Sequence, residues 1–293
     1  MANRSWLFVP GDSLSKLAKI ANCGADCVII DLEDSVAAET KQNARENTRD
    51  FLANWKTQQS SPKLYVRVNA LNTGLTGDDL SAAVSVATTG VMLPKSDGGQ
   101  SVAELATMMR VAEARAGVED GATKIIAIAT ETARGVLNAD SYPNCSKSLE
   151  ASAWGAEDLS ADIGTHSARD SHGHFTPLFA HARSMVLLGA ANAGVAAIDG
   201  IFADFRNEAG LRQECQDAFR DGFTGKMAIH PAQIAVINEA FTPSINAIAN
   251  ATAIVEAFKN AGDAGVISLN GRMLDRPHLQ LAQRVIAQAN LNK

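Results

Sequence analysis

The regular alternation of short apolar runs with longer amphipathic stretches constrains the fold of this chain more than any other feature of its sequence. Runs such as Val-Ile-Ile at 28–30 and Ile-Ile-Ala-Ile at 125–128 are typical of buried parallel strands, and the stretches between them have apolar residues at helical spacing. This pattern predicts βα units packed around a parallel sheet. The strand-like runs lie at 6–9, 27–30, 64–68, 90–93, 124–129, 151–154, 196–198 and 226–229.

The number of units favours a closed barrel over an open sheet. About eight units are present, which is the number at which such a sheet closes, and a single barrel of this kind takes about 250 residues. An open doubly wound sheet is the alternative, but no Gly-x-Gly-x-x-Gly sequence follows a strand-like run, so a dinucleotide-binding fold has no support. The helices that complete the units are predicted at 13–22, 41–55, 78–87, 101–117, 132–138, 176–193, 208–221 and 232–240.

The last part of the chain exceeds what a barrel needs. After residue 241 the sequence predicts a helix at 245–260, a strand-like run at 266–269, a turn at Asn270-Gly271 and a final helix at 278–290. We therefore predict an α/β protein, with a (β/α)8 TIM barrel as the catalytic domain at 1–241 and a C-terminal helical extension at 242–293. Asp275, in the loop before the final helix, is either a lid residue or a paired surface charge.

Composition and charge disfavour several classes of partner. The formal net charge of -6 argues against a nucleic-acid or anionic-membrane surface, because such surfaces attract clustered Lys and Arg. The apolar run at 6–9 is too short for a secretory signal, and the apolar stretch at 185–198 is interrupted by Asn192, as in a buried helix that leads into a strand. The cysteines form no Cys-x-x-Cys pair. We expect a cytoplasmic protein with reduced thiols, a small-molecule ligand and no nucleic-acid or membrane partner.

Polar and charged residues follow the predicted strands. Because the carboxyl ends of parallel strands meet at one rim of a barrel, we expect these residues to converge there. Among them, the carboxylate of Glu131 and those of Glu157 and Asp158 come from separate strands and would repel one another without a cation between them. Mg²⁺ is typically held by one or two carboxylates together with water and substrate oxygens, so these strand ends predict a magnesium site. The predicted rim residues are Asp31, Glu33, Asp34, Arg67, Asn69, Lys95, Glu131, Glu157, Asp158, Asp199 and His230.

Simpler interpretations remain open for parts of this rim. Glu131 could pair with Arg134 one helical turn away, and Glu157 and Asp158 could merely cap a helix. The histidines at 166–174 suggest a zinc site, but no cysteine lies near them, and usually only one side chain of a His-x-His pair points inward. We interpret this segment as a mobile cover over the substrate and assign no role to its histidines.

Specific motifs occur in order along nearly the whole chain. They are RSWLFVPG at 4–11, DLEDSV at 31–36, VRVN at 66–69, MLPK at 92–95, TETA at 130–133, GAEDL at 155–159, AIDG at 197–200, GK at 225–226, IHP at 229–231 and GRMLD at 271–275. Together they resemble the citrate lyase beta subunit-like family, also known as the malyl-CoA and citramalyl-CoA lyases, of the HpcH/HpaI aldolase superfamily. The chain departs from the family pattern at Ser13, where relatives often have a basic residue, and in the segment at 166–176.

The resemblance implies a (β/α)8 barrel that forms homotrimers and a specific set of site residues. Glu131 and Asp158 would bind Mg²⁺, and Arg67 would hold the carboxylate of an α-oxo acid and take part in catalysis. Asp275 would reach the site of a neighbouring subunit and act there in proton transfer. The other assignments are substrate binding by Gly155, Ala156 and Glu157, support of the metal and of Arg67 by Asp31, Glu33 and Lys95, and contact with CoA by Lys16 and Lys19.

The reaction that the resemblance implies is the Mg²⁺-dependent cleavage of a carbon–carbon bond. The substrate would be citramalyl-CoA or malyl-CoA, and the products acetyl-CoA and an α-oxo acid, pyruvate or glyoxylate. One alternative is a citrate lyase beta subunit that cleaves citryl-acyl-carrier-protein to oxaloacetate and the acetyl carrier. Another is a structural subunit without activity, which would be expected to lose Arg67, Glu131, Asp158 or Asp275. The acyl group, the stereochemistry and any accompanying thioesterase or synthase step remain undetermined by the sequence.

Overall fold

The computed structural model, which describes residues 3–56, 61–262 and 264–291, contains a closed barrel of parallel strands. Each strand pairs with the next one in sequence, and β1 pairs with β8 to close the sheet. This confirms the predicted (β/α)8 TIM barrel. The strands are β1 (Ser5–Pro10), β2 (Cys27–Asp31), β3 (Lys63–Arg67), β4 (Gly90–Leu93), β5 (Lys124–Ile128), β6 (Leu149–Ala153), β7 (Ala196–Asp199) and β8 (Gly225–Ala228).

Helices follow the barrel strands and mostly agree with the predicted positions. The helices are α1 (Leu14–Leu17), α2 (Lys41–Asn54), α3 (Thr76–Ala83), α4 (Gly99–Ala116), α5 (Ala133–Leu137), α6 (Ala156–Ile163), α7 (Pro177–Ala193), α8 (Glu208–Asp221) and α9 (Ile234–Ala240). The predicted helix at 13–22 is instead the short α1 and a separate 3₁₀ turn, Ile20–Asn22.

Helix α6 was not among the predicted helices, and only the alternative in which Glu157 and Asp158 cap a helix anticipated it. The helix is short, and its C-cap Gly164 has a φ of 71°. A left-handed residue of this kind ends a helix at little cost when it is glycine. The consequence is that Asp158 lies in the first turn of a helix rather than at the end of a strand.

The side chains of each barrel strand alternate between two apolar layers, one inside the barrel and one between the barrel and its helices. Trp6 and Ile29 face the barrel interior, whereas their neighbours Leu7 and Ile30 pack against the surrounding helices. Successive side chains of a strand point to opposite faces, so Asp31, two residues after Ile29, points inward at the carboxyl end. Fully burying an isoleucine side chain contributes about 1.5 to 3 kcal/mol, so a slip of one residue in register would be strongly unfavourable.

The C-terminal extension consists of α10 (Ile245–Asn260), an antiparallel hairpin of β9 (Val266–Leu269) and β10 (Arg272–Asp275), and α11 (Arg276–Leu291). Helices α10 and α11 pack against each other. The second strand of the hairpin was not predicted; it forms because Asn270 and Gly271 have positive φ values of 51° and 74°, as a tight two-residue hairpin turn requires. Asp275 is therefore the last residue of a strand rather than part of a loop.

The apolar stretch at 185–198 forms the end of α7 and the start of β7. The stretch does lead from a helix into a strand, as expected, but the helix is only partly buried, because Leu188 is 65% exposed. Among the described residues, none of the helices has the length and apolar character needed to cross a bilayer. Cys23, Cys27, Cys145 and Cys215 are free thiols.

Candidate active site at the barrel rim

Asp31 and Arg67 meet at the carboxyl ends of adjacent strands. The two residues are direct partners in the register of β2 and β3. Arg67 Nε donates to one carboxylate oxygen of Asp31 and Arg67 Nη2 to the other, each at 2.7 Å. Such a bidentate pair fixes the plane of the guanidinium. The Arg67 side chain remains 11% exposed, so part of it can reach a ligand.

One end of the Arg67 guanidinium is directed away from Asp31. Its Nη1 atom lies 3.0 Å from Glu33 Oε2, yet this buried oxygen has no hydrogen-bond partner among the described residues. Burial alone would lower the pKa of Arg67, but the bond to Asp31 and the charges of Glu33 and Glu131 raise it above its ordinary value. Arg67 is therefore a permanent cation with donors available to a carboxylate ligand.

Lys95 lies among three carboxylates of the rim. Its Nζ atom is 2.5 Å from Glu33 Oε1, 3.1 Å from Asp158 Oδ1 and 3.3 Å from Asp34 Oδ2. Lys95 also has a φ of 49°, which is uncommon for a residue with a side chain. In this conformation its backbone N–H donates to Glu131 Oε2 at 2.6 Å. One strained residue thus connects Glu131, Asp158 and Glu33.

Glu131 is a buried acid beside a second carboxylate. A Cβ atom on Gly155 would lie 3.0 Å from Glu131 Cγ and 3.1 Å from Oε1, so glycine leaves the space that this side chain occupies. Burial, together with the charge of Asp158, raises the pKa of Glu131 to about 8. Burial also raises the pKa of Glu33, to about 6. Both shifts arise mainly from burial, which disfavours the charged form of a carboxyl group.

Glu131 and Asp158 suit a magnesium ion by the chemistry of their oxygens. Both line a cavity of about 220 Å³, here called the site cavity, together with Arg67. Within the described residues, no group of three or more His, Cys, Asp and Glu side chains has metal-binding geometry. The protein would therefore offer one or two carboxylates and leave the other positions to water and ligand, which is the common arrangement for Mg²⁺.

Two simpler interpretations of these acids were an ion pair between Glu131 and Arg134 and helix capping by Glu157 and Asp158. Glu131 accepts a hydrogen bond from the Lys95 backbone, and in the described part of the chain no ion pair joins it to Arg134. Glu157 and Asp158 do lie in the first turn of α6, as a capping role requires. Asp158 also contacts Lys95, however, so capping does not describe its whole environment.

The N-terminus of α6 borders the site cavity. Gly155 is the N-cap residue, and within the described residues no side-chain hydrogen bond caps the first backbone N–H groups of the helix. Such free N–H groups are donors for an anionic ligand. Gly155 and Glu157 line the site cavity, whereas Ala156 lines a neighbouring cavity.

A groove of about 400 Å³ adjoins the site cavity beside β1. It shares Phe8, Ser35 and Ile229 with the site cavity. Lys16, in α1, and Lys19 both line this groove, which we call the lysine groove. The structure thus places the two lysines next to the site cavity but outside it.

Five predicted rim residues do not line the site cavity. Two of them, Glu33 and Lys95, contact residues that do line it. The Asn69 side chain donates to Asp79 Oδ2 at 2.6 Å. Asp199 is buried and accepts hydrogen bonds from neighbouring side chains, and His230 lines the lysine groove. Asn69, Asp199 and His230 thus end or follow barrel strands at the predicted rim, but they lie beside the site cavity rather than in its lining.

Asp275 lies at the end of β10, in the C-terminal extension. Its side chain is 39% exposed, and Oδ1 is 2.5 Å from His278 Nδ1. The hydrogen bond with His278 lowers the pKa of Asp275. Asp275 does not line the site cavity of its own chain, and its assignment to a neighbouring subunit stays a prediction.

Residues 165–176, here called the cover, connect α6 to α7. His166, His172 and His174 are exposed in this segment. The Oδ1 atom of Asp170 accepts hydrogen bonds from the backbone N–H groups of His172 and His174, at 2.8 and 3.0 Å. These bonds involve the main chain and leave the imidazole rings at the surface. The role of the cover over the substrate stays a prediction.

Two aromatic residues of the site were missed by the sequence interpretation. Phe8 packs its ring on the guanidinium of Arg67, with Cζ 4.8 Å from the ring centroid. Trp154 lines the site cavity and donates from Nε1 to Asp199 Oδ1 at 2.7 Å. Both residues lie at the ends of apolar runs, where an aromatic side chain is indistinguishable from a core residue in the sequence.

Fold and site together define a (β/α)8-barrel enzyme with its ionisable groups gathered at the carboxyl ends of the strands. The chain belongs to the HpcH/HpaI aldolase/citrate lyase family, whose model matches residues 4–231. It is 35% identical to the citrate lyase subunit beta of Leuconostoc mesenteroides subsp. cremoris, over 99% of this chain and 94% of that protein. It is 33% identical to the mitochondrial citramalyl-CoA lyase of Mus musculus, over 98% of this chain and 86% of that protein.

Solved structures give the same assignment. A crystal structure of the protein CitE from Mycobacterium tuberculosis, in complex with magnesium, acetoacetate and coenzyme A, superposes with a TM-score of 0.79. The two chains are 33% identical, and the match covers 99% of this chain and 98% of that one. The predicted family and the predicted lyase class are confirmed by these relatives.

Proposed function

We propose that the chain is a Mg²⁺-dependent oxo-acid lyase that cleaves citramalyl-CoA or malyl-CoA to acetyl-CoA and pyruvate or glyoxylate. The observation that carries this proposal is the convergence of Arg67, Glu131 and Asp158 on one cavity at the barrel rim. The relatives named citramalyl-CoA lyase, and the Mycobacterium tuberculosis protein crystallised with magnesium and coenzyme A, support it.

The reaction requires stabilisation of two oxyanions. The hydroxyl group gives up its proton to solvent water, the carbon–carbon bond breaks to give the α-oxo acid, and the electron pair of that bond forms the enolate of the acetyl thioester. Held by Glu131 and Asp158, Mg²⁺ would supply Lewis-acid chemistry at the hydroxyl and carboxylate oxygens of the substrate. The raised pKa of Glu131 supports this assignment, because two neighbouring carboxylates in a buried rim favour a bound cation.

Arg67 would orient the substrate through the donors that Asp31 does not bind, and the substrate would share the Nη1 end with Glu33, whose Oε2 atom lies 3.0 Å away. Because Asp31 occupies the Nε and Nη2 side of the guanidinium, the carboxylate of the oxo acid would bind at the end that includes Nη1. The N–H groups at the start of α6, whose N-cap Gly155 lies against the Glu131 side chain, offer further donors. Held at both points, the substrate would present one defined bond for cleavage.

A proton must be delivered to the enolate carbon, and we assign this step to Asp275 of a neighbouring subunit in a homotrimer. The hydrogen bond with His278 lowers the pKa of Asp275 in the single chain, which favours the carboxylate. Desolvation of the acid over a neighbour's site would oppose that shift and allow it to carry a proton. A positioned acid or base of this kind typically contributes about 10²- to 10⁴-fold.

The lysine groove is the proposed path of coenzyme A. It opens from the site cavity, its lining is largely apolar, and Lys16 and Lys19 provide positive charge along it. The pantetheine arm could lie against the apolar wall while the lysines contact phosphate groups. Lys95, Glu33 and Asp31 would hold Arg67 and the metal-bound water in place.

The alternative, a citrate lyase beta subunit acting on citryl-acyl-carrier-protein, is favoured by the relatives of that name. The two functions share the metal and arginine chemistry and differ in the carrier and in the acyl group. A subunit without activity is disfavoured, because the relatives are named lyases and Arg67, Glu131, Asp158 and Asp275 are all present.

A thioester panel tests the proposal. The purified protein would be assayed with Mg²⁺ against malyl-CoA, citramalyl-CoA, citryl-CoA and citryl-acyl-carrier-protein, with detection of the released oxo acid. We expect cleavage of malyl-CoA or citramalyl-CoA, loss of turnover in EDTA and recovery on addition of Mg²⁺. Cleavage of the citryl carrier alone would favour the alternative, and full activity in EDTA would contradict the metal assignment.

A further inference from the structure

A second cavity joins the candidate site on the side of β6 and β7. This side cavity, of about 410 Å³, shares Trp154, Glu157 and Ile201 with the site cavity. Its outer wall belongs to the cover, which contributes Ser167, Ala168, Arg169 and Phe175.

The two cavities that adjoin the site cavity border different parts of it. The lysine groove adjoins it at Phe8, Ser35 and Ile229, whereas the side cavity adjoins it at Trp154 and Glu157. In the proposed substrate the hydroxyl-bearing carbon has a carboxylate, a thioester arm and one further substituent. With the carboxylate on Arg67, the thioester arm in the lysine groove and the hydroxyl group toward Glu131 and Asp158, the remaining substituent would point toward the side cavity.

The lining of the side cavity suits an uncharged group. Trp154, Phe175 and Ile201 supply apolar surface, and the carboxylate of Glu157 disfavours a second anion. Among the described lining residues the only cation is Arg169, and its Nη2 atom is already 2.8 Å from Glu214 Oε2. An anionic substituent would therefore have to compete with an existing ion pair.

The cover wall is fixed by stacking of its own side chains. The Arg169 guanidinium lies over the ring of Phe175, with Cζ 3.8 Å from the centroid, and its Nη1 donates to Gly173 O at 2.8 Å. The Phe175 ring in turn meets Trp154 edge to face, with the centroids 4.8 Å apart. Arg169 and Phe175 thereby connect the cover to the indole of Trp154, which lines both the side cavity and the site cavity.

A chain of ion pairs, of which Lys226 and Asp199 are the buried members, connects this wall to the barrel. Glu214, on α8, contacts Arg169 through one oxygen and Lys226 Nζ through the other, each at 2.8 Å. Lys226, fully buried in β8, also contacts Asp199 Oδ2 at 2.8 Å. Asp199 accepts the indole N–H of Trp154, so the contacts return to the cavity wall. Removing one buried partner from such a network leaves another charge uncompensated.

We propose that the side cavity binds the substituent on the hydroxyl-bearing carbon, that this substituent is an uncharged alkyl group, and that Arg169 and Glu214 are positioning residues for the cavity wall. The inference rests on the proposed lyase function and narrows it to 2-alkyl-malyl thioesters. A methyl group fills only a small part of about 410 Å³, so longer alkyl groups should also be accepted.

Binding of oxo acids tests the alkyl preference without turnover. Titration calorimetry with Mg²⁺ would compare glyoxylate, pyruvate, 2-oxopentanoate and oxaloacetate, which differ only in the substituent. We expect 2-oxopentanoate and pyruvate to bind more tightly than glyoxylate and oxaloacetate. Tighter binding of oxaloacetate than of 2-oxopentanoate would overturn the inference.

Two variants test the cavity and its wall by kinetics. Ala203→Phe narrows the side cavity from an exposed loop position, and Ala53→Phe, on the exposed face of α2, is its control. The substrates compared are malyl-CoA and its analogue with a propyl group on the hydroxyl-bearing carbon, here called the propyl-bearing thioester. We expect Ala203→Phe to lower kcat/KM by about 10- to 100-fold for the propyl-bearing thioester and by much less for malyl-CoA. Ala53→Phe should change neither value.

The positioning role of the ion pair is tested by Glu214→Gln, with Asp217→Asn on the same helix as control. Asp217 pairs with Arg220 at the surface and does not line the side cavity. Glu214→Gln should lower kcat/KM for the propyl-bearing thioester more than kcat/KM for malyl-CoA, so the ratio of the two values should fall. A merely structural loss would lower the two values equally and leave the ratio unchanged. An unchanged ratio in both Glu214→Gln and Ala203→Phe would overturn this inference and leave the lyase function standing. Cleavage of no thioester would overturn both.

Discussion

At the residue scale, Glu131 and Asp158 are two acids whose proximity is unfavourable without a cation. We predict that Glu131→Gln and Asp158→Asn each abolish Mg²⁺-dependent turnover without unfolding the barrel. Each change keeps the shape of the side chain and removes a charge from the rim rather than an apolar contact from the core. Turnover against Mg²⁺ concentration and thermal melting would be measured together.

The matched control for these two changes is Glu104→Gln, at an exposed position of α4. This variant should keep the full response to Mg²⁺. If Glu131→Gln kept the same response, Glu131 would not be a metal ligand.

Arg67 depends on the geometry of its guanidinium as well as on its charge. We predict that Arg67→Lys lowers kcat/KM by about 10²-fold, because an ammonium group cannot hold Asp31 at two points and also present a donor pair to the substrate. Steady-state kinetics with Arg110→Lys, an exposed arginine, as control would measure this. An unchanged kcat/KM with a lower melting temperature would assign Arg67 to folding instead.

At the scale of elements, β7 and β8 are connected by a buried ion pair that makes stability depend on pH. Burial alone would raise the pKa of Asp199, but the neighbouring charges of Lys226 and Arg183 lower it to about 2. Because the pKa of Asp199 is lower in the folded state than in the unfolded state, its ionised carboxylate stabilises the fold. This contribution to the free energy of unfolding is fully present above about pH 4 and is lost as the pH falls toward 2. For this one group the loss amounts to about 2 to 3 kcal/mol.

We therefore expect the free energy of unfolding to fall between about pH 4 and pH 2 in the wild type, with a shallower fall in Asp199→Asn. Urea denaturation at a series of pH values would measure both. Asp199→Asn should also be less stable at neutral pH, because Lys226 and Arg183 lose a partner. Asp120→Asn, at an exposed acid, should reproduce the wild-type slope; an identical slope in Asp199→Asn would contradict the assignment.

At the scale of the whole molecule, the proposed chemistry needs residues from two subunits. We predict that Asp275→Asn keeps binding of Mg²⁺ and oxo acid, whose ligands come from the barrel, and loses thioester cleavage by about 10²- to 10⁴-fold. Co-assembly with subunits that carry only Glu131→Gln should restore part of the activity, because some mixed sites combine intact metal ligands with an intact acid. Absence of recovery in verified mixed oligomers would show that Asp275 does not serve a neighbour.

The barrel and the approximate position of its rim could be predicted from the sequence alone. The alternation of apolar runs is a local property, and it placed all of the barrel strands to within a few residues. Short elements were harder: α6 and β10 depend on Gly164 and on the Asn270-Gly271 turn, whose conformations single residues specify only weakly. The family motifs supplied the identity of the candidate ligands, which periodicity could not.

Contacts between distant side chains were decided only by the tertiary structure. Strand register places Asp31 opposite Arg67, and the positive φ of Lys95 turns its backbone N–H toward Glu131. Packing around β8 brings the cover residue Arg169 to Glu214 on α8. A sequence pattern states which face of an element is apolar, but it carries no information on which partners lie across the interface. Register and close packing select those partners, because only one arrangement satisfies the buried charges together with the apolar core.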